Sequence, residues 1–296
     1  MILNEIYCCA LGDFKNWRQY RGESTDSWAA SVGSDGQWTG AANFLGNPVF
    51  FKENCMHQVL VSSSGAHQVQ ETVCRGVQKG SSKSVVVVNE TLFYKSRNDV
   101  CIWQGSFPTE ISAALGESRY YDASAGTFAG KYYISMHDED GAWNLFVYDI
   151  AKQLWIREDN LHVLQFATVD DELYAVDADT NDLLALNGTV GTTEETLNWE
   201  AVTGVLTYEY PDRKYLSRFN IRLRMAPGGE AQVFLQYNDD GTWQSGGSVS
   251  ARRDYGSVVL PIRPRRCDYL KMKIVGTGET EILSISRVLE IGSDMR

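Results

Sequence analysis

No run of about 18 apolar residues occurs among the 296 residues of the chain, so the sequence holds no membrane-spanning helix of ordinary length. The opening MILNEIYCCALGDF has neither the basic nor the apolar region of a secretory signal, and a soluble, unexported chain is expected. No GxxxxGK[ST], GxGxxG or GxSxG string is present, so nucleotide and serine-hydrolase readings lack their usual anchors. The six cysteines form no C-x-x-C pair and are too sparse for a disulfide-stapled domain, which fits reduced folding. Cys8 and Cys9 are adjacent, so in a strand they point to opposite faces, with one expected to be buried. His57, His67, His137 and His162 never reach H-x-x-x-H spacing; Cys55 and His57 share one strand face, yet no third ligand is identifiable. Neither a metal site nor a cofactor is expected. No long stretch holds a period near 3.6, so helix is almost absent.

What the chain does have is a repeat. Tyr7, Phe51, Tyr94, Tyr133 and Tyr174 follow at steps of 44, 43, 39 and 41 residues, in NEIYCCA, NPVFFKE, ETLFYKS, GKYYISM and DELYAVD. This is the period of propeller blades. Each aromatic strand follows a two-residue turn, at Asn4-Glu5, Gly46-Asn47, Asn89-Glu90, Ala129-Gly130 or Asp170-Asp171, where Gly, Asn and Asp tolerate hairpin backbone angles. Three or four strands per unit follow. The first unit begins at its turn, so its leading strand is missing, and truncation of a longer protein is the reading preferred over closure of the ring by a later segment.

The fold class expected is all-β: a propeller of about five blades, the first incomplete, over residues 1–190, a linker over 191–198, and a jelly-roll-like β-sandwich over 199–296. The linker rests on GTVGTTEETLN, which has little to bury, and the sandwich on longer alternating strands such as YLSRFNIRLRM and AQVFLQYN. Charge divides the same way: residues 1–196 carry 13 Lys and Arg against 26 Asp and Glu, and residues 197–296 carry 14 against 12. An acidic surface repels phosphate, so the first domain is a poor holder of nucleic acid. Arg252, Arg253, Arg263, Arg265 and Arg266 form the clearest basic group and are the candidate partner interface, since guanidinium groups suit carboxylate-rich surfaces.

Other motifs have bland readings. Asp35-Gly36-Gln37-Trp38, Asp140-Gly141-Ala142-Trp143 and Asp240-Gly241-Thr242-Trp243 loosely resemble the Asp-box turns of sialidase-type propellers and are read as hairpin turns with a packing Trp. Asp177, Asp179, Asn181 and Asp182 resemble the start of a calcium loop, but Asp182 stands where the sharp turn needs Gly and Gly188 where a bidentate Glu belongs. A solvated hairpin tip is expected there.

The strings FFKENCMHQVL, CRGVQKGSSKSVVVVNETLFYKSRNDVCIWQG, AGTFAGKYYISMHD, LFVYDIAKQLWIRED and CDYLKMKIVGTGETEILSISRVLEIGSD resemble structural proteins encoded among the tail and neck genes of phages and prophages of gut Firmicutes. The resemblance implies a virion component assembled in the bacterial host cytoplasm, a homo-oligomeric ring touching other tail or neck proteins, with no active site. The expectation is therefore a non-enzymatic structural protein of a phage tail or head-tail neck. The alternative is a carbohydrate-binding module recognising host surface glycans, because Trp and Tyr beside Asp and Asn suit sugars; a sialidase-like glycosidase is third.

Overall fold

NPVFF, TLFYK and KYYISMH are apolar at nearly every position, the pattern of strands covered on both faces. The computed structural model describes residues 4–63, 65–186, 198–207, 215–251, 256–265 and 267–290, in two units, Met1–Val190 and Gly191–Arg296. The expected linker falls almost wholly outside the described residues. The fold is all-β, and among the described residues only Ser82–Ser84 and Ala113–Leu115 form helical turns, both of the 3-10 type.

The first unit is a propeller of five antiparallel sheets. They are β1 (Glu5–Cys8) with β2 (Trp28–Ser31); β3 (Gly40–Phe44), β4 (Asn47–Phe51), β5 (Cys55–Val61) and β6 (His67–Val73); β7 (Val86–Val88), β8 (Thr91–Lys95), β9 (Val100–Trp103) and β10 (Thr109–Glu110); β11 (Tyr121–Phe128), β12 (Lys131–His137), β13 (Trp143–Asp149) and β14 (Leu154–Asp159); and β15 (Val163–Val169), β16 (Glu172–Asp177) and β17 (Leu183–Ala185). Each is a meander of strands in chain order, and β11 packs against both β7 and β15. Asn89-Glu90 and Ala129-Gly130 carry positive φ at both residues, as a tight hairpin turn requires. In the second sheet the pair is Leu45-Gly46, one residue ahead of the expected position.

Side-chain alternation stacks the blades. Along β8, Leu92 and Tyr94 join Phe44, Phe51 and Met56 of the second sheet, while Phe93 faces Tyr132, Ile134 and Met136 of the fourth. On the far side of the fourth sheet, Tyr133, Leu145 and Val147 meet Phe166, Leu173 and Ala175 of the fifth. One face of each strand is thus dedicated to each neighbour.

The first sheet departs from the repeat. Lys52, directly after β4, is hydrogen-bonded to Asn4, directly before β1, while Trp28 at the start of β2 stacks on His67 at the start of β6. β1 therefore starts at the rim where β4 ends and runs opposite to it. Tyr7 is 45% exposed, whereas Phe51, Tyr94 and Tyr133 are buried, so Tyr7 shares their spacing and not their place. Cys8 and Cys9 are both half-buried, so neither is the expected core residue.

The second unit is a β-sandwich of β18 (Asn198–Val202), β19 (Tyr215–Met225), β20 (Glu230–Tyr237), β21 (Gln244–Ser250), β22 (Gly256–Ile262), β23 (Leu270–Thr277) and β24 (Thr280–Glu290). One sheet has the order β18-β23-β20-β21 and the other β22-β19-β24. Phe219, Ile221, Leu223 and Met225 alternate inward from β19 to meet Ala231, Val233 and Leu235 of β20 and Leu270, Met272 and Ile274 of β23.

Candidate functional site

Where the later blades meet through aromatic and aliphatic side chains, the face of the second sheet turned toward the first is polar. Alternation along β4 sends Phe51 into the hydrophobic stack and turns Lys52 to the other side. Lys52 Nζ, fully buried, donates to Asn4 Oδ1 at 2.8 Å and to the Ser34 carbonyl, and lies 4.8 Å from the centre of the Trp38 ring. Opposite it in the same layer stands His57 of β5, also fully buried and edge-on to Trp38 at 5.2 Å. His57 Nε2 is 3.0 Å from Ser34 Oγ and 3.2 Å from Oε2 of Glu71, its cross-strand partner on β6. Burial pushes the imidazole below its ordinary pKa against the pull of Glu71, with Lys52 adding to the push. Burial thus favours the neutral ring, which meets Glu71 through a hydrogen bond. Cys55, His57 and Glu71 bring their donor atoms within 4.8 Å of one another.

Trp38 forms the boundary between this layer and solvent. Its outer side borders a cleft of about 640 Å³, lined by Glu5, Ile6 and Tyr7 of β1, Gln37 to Ala41, Phe50, and Lys79, Gly80 and Ser82 ahead of β7. That size falls within the range of small-molecule sites, about 300–1,000 Å³. Tyr7 hydrogen-bonds to the Glu5 carboxylate, which raises the phenol above its ordinary value and keeps it protonated. The cleft therefore offers three aromatic rings, of Tyr7, Trp38 and Phe50, together with a carboxylate, an amide and an ammonium group.

Asp122 stands against the cleft wall. A Cβ at Gly80 would lie 2.1 Å from Asp122 Oδ1, so the carboxylate rests directly on this glycine, whose φ of +89° disfavours any side chain. Asp122 has a left-handed backbone (φ 52°) at a register shift near the start of β11, and its other oxygen is 3.2 Å from His137 Nε2. Bulges and left-handed non-glycine residues concentrate at functional sites. From Asp122 an aromatic series continues: Tyr121 stacks on His137, His137 meets Trp143 edge-on, and Trp143 stacks on His162 at 3.6 Å. Each of the four histidines lies against a tryptophan, His67 against Trp28 included.

The residues singled out from sequence are scattered. Arg252, Arg253 and Arg266 lie outside the described residues. Arg263 and Arg265 are exposed; Arg265 reaches Asp240 at 3.4 Å and covers the Tyr237 ring at 4.4 Å, both within the second unit. Asp177, Asp179 and Asp182 form a turn closed by their own backbone, with Asp179 on His162 at 3.1 Å. Of the three Asp-Gly-x-Trp strings, only the first gives its Trp to the cleft. Lys52, Glu71 and Asp122 were not found from sequence, and for Lys52 the available signal was the charged end of the apolar run NPVFFK; Ser34 stood only as part of the Asp-box-like turn. The second unit has a hollow of about 700 Å³ lined by Glu200, Glu230, Gln232 and Ser248, but its aromatic residue, Trp199, is packed on the core.

No family model matches the chain, and no curated protein does. Among solved structures it is similar to an exo-β-1,3-galactanase of Phanerochaete chrysosporium determined with galactose, at 9% identity and a TM-score of 0.33, covering 98% of this chain and 89% of that one. It is also similar to a glycoside hydrolase family 43 arabinoxylan arabinofuranohydrolase of Bacillus subtilis in complex with cellotetraose, at 9% identity and a TM-score of 0.25, covering 91% and 82%. These values assign no activity to this chain. They do correct the expectation of a non-enzymatic phage tail or neck component: both of these structural neighbours are glycoside hydrolases, and neither is a phage protein.

Proposed function

We propose that the chain binds carbohydrate in the cleft lined by its first two sheets and the segment ahead of β7. The supporting observation is that Trp38 and Tyr7 share one open cleft with Glu5, Gln37 and Lys79. A sugar presents apolar C–H faces and a ring of hydroxyl groups. The former stack on aromatic faces, and the latter need carboxylate, amide and ammonium partners placed around them. Trp38 is pre-positioned, because the buried Lys52 and His57 hold it from behind and little ordering remains to be done on binding. The test is a glycan array probed with the full chain, followed by titration calorimetry of the best ligand.

A second reading, hydrolysis of the bound glycan, is favoured by Asp122. Glycosidases require two carboxylates flanking the scissile bond; Glu5 lines the cleft, and Asp122 abuts Gly80 in its wall. Incubating the chain with the array ligands and measuring new reducing ends decides between the readings. Release of sugar that is lost in Asp122→Asn supports hydrolysis, while binding without release supports recognition alone.

A further inference from the structure

Cys55 and His57 lie two apart on β5 and so share a face, and the register of β5 with β6 sets Glu71 directly across from His57. A thiol, an imidazole and a carboxylate are thereby gathered from two neighbouring strands, with all three donor atoms within 4.8 Å of one another. Cys55 and His57 are buried, while the Glu71 side chain is 38% exposed, which leaves an approach from solvent on one side.

Hydrogen bonding alone does not satisfy this cluster. His57 Nδ1 is buried with no partner. With the proton on Nε2, Glu71 is served and the Nδ1 lone pair is buried bare. With the proton on Nδ1, the Nε2 lone pair faces the Glu71 oxygen at 3.2 Å, and only the Ser34 hydroxyl can donate to it. Neither tautomer gives both nitrogens a suitable neighbour, and a buried polar group left this way costs about 1–3 kcal/mol. A cation bound to Nε2, the thiolate and the carboxylate removes the repulsion between the Nε2 lone pair and the Glu71 oxygen, and the ring proton then sits on Nδ1.

We propose that Cys55, His57 and Glu71 form a zinc site. Mixed sulfur, nitrogen and oxygen donors suit that borderline-soft ion. The separation of His57 Nε2 and Glu71 Oε2, 3.2 Å, is close to the edge of about 3.3 Å in a tetrahedron with bonds of about 2.0 Å. Ser34 Oγ, 3.0 Å from the same nitrogen, stands beside the fourth position, where a water completes the set. On binding, the Cys55 thiol releases its proton to solvent, and the thiolate and carboxylate charges balance the dication. The buried Lys52 ammonium in the same layer opposes the ion and leaves the layer with one positive charge. Through Ser34 the site ties the segment that carries Trp38 to the second sheet.

The test uses the full chain, stripped with a chelator and titrated with zinc against a chromophoric competitor, then with cobalt as a spectroscopic substitute. One equivalent of zinc is expected, with a sulfur-to-cobalt charge-transfer band. Glu71→Gln, a partly exposed position that leaves the core untouched, is expected to weaken binding by about tenfold or more, and Cys55→Ser to abolish the charge-transfer band. A chain that binds no zinc, or a Cys55→Ser variant that keeps both the affinity and the band, overturns the proposal.

Discussion

Lys52 Nζ at the end of β4 donates to Asn4 Oδ1 at 2.8 Å, joining the second blade to the residue that opens the first. Its second acceptor is the Ser34 carbonyl, so one buried ammonium group serves both segments that flank the cleft. In Lys52→Met the length is kept and Asn4 Oδ1 loses its donor, while the Ser34 carbonyl keeps only the Asn4 Nδ2 donor, at 2.9 Å. Urea unfolding is expected to show a loss of about 1–3 kcal/mol, and a variant as stable as the parent would mean that water replaces the ammonium group.

Lys95 occupies the matching end of β8, and among the described residues its ammonium group donates to the Ser96 carbonyl alone, at 2.5 Å. Burial pulls its pKa down to about 8, so the folded chain holds this proton less tightly than the unfolded chain does. Between pH 8 and the ordinary lysine value near 10.5 the unfolded state binds more protons, and stability rises with pH across that window. The penalty, on the order of 3 kcal/mol, is complete below pH 8. Lys95→Met is expected to melt higher than the parent at pH 7, with the gap closing toward pH 10.5; a constant gap would show that Lys95 does not titrate there.

Gly126 on β11 lies close against Phe166 of the fifth blade. A Cβ there would lie 2.5 Å from Phe166 Cβ, with no flexible side-chain end to yield. Gly126→Ala is expected to cost about 1–3 kcal/mol through overpacking, read as a lowered melting temperature. An unchanged melting temperature would mean that the blades separate there without cost.

The sequence revealed what depends on period and left hidden what depends on pairing. Phe51, Tyr94 and Tyr133 recur because every full blade buries the face of its second strand that carries them, and that pressure is written residue by residue. Tyr7 matched the period by chance of spacing, since the direction of β1 is set by Asn4 and Trp28 through contacts about 40 residues away or more. Cys55 and His57 were visible as a pair because two-residue spacing implies a shared face. Glu71 was not, because a cross-strand partner follows from the length of the β5–β6 turn. Trp38 could be seen as a turn tryptophan, but its cleft lies where the first sheet has two strands and the second sheet turns the polar Lys52 and His57 toward it.

The reading of the cleft as a sugar site rests on Trp38, so the decisive measurement is a glycan array probed in parallel with the full chain and with Trp38→Ala. The parent is expected to bind a related set of glycans, and Trp38→Ala, folded by its melting profile, to bind them about tenfold more weakly, since a lost aromatic stack is worth about 0.5–1.5 kcal/mol before its buried area is counted. A parent that binds no glycan, or a Trp38→Ala variant that binds the same glycans equally well, would show that this cleft does not recognise carbohydrate.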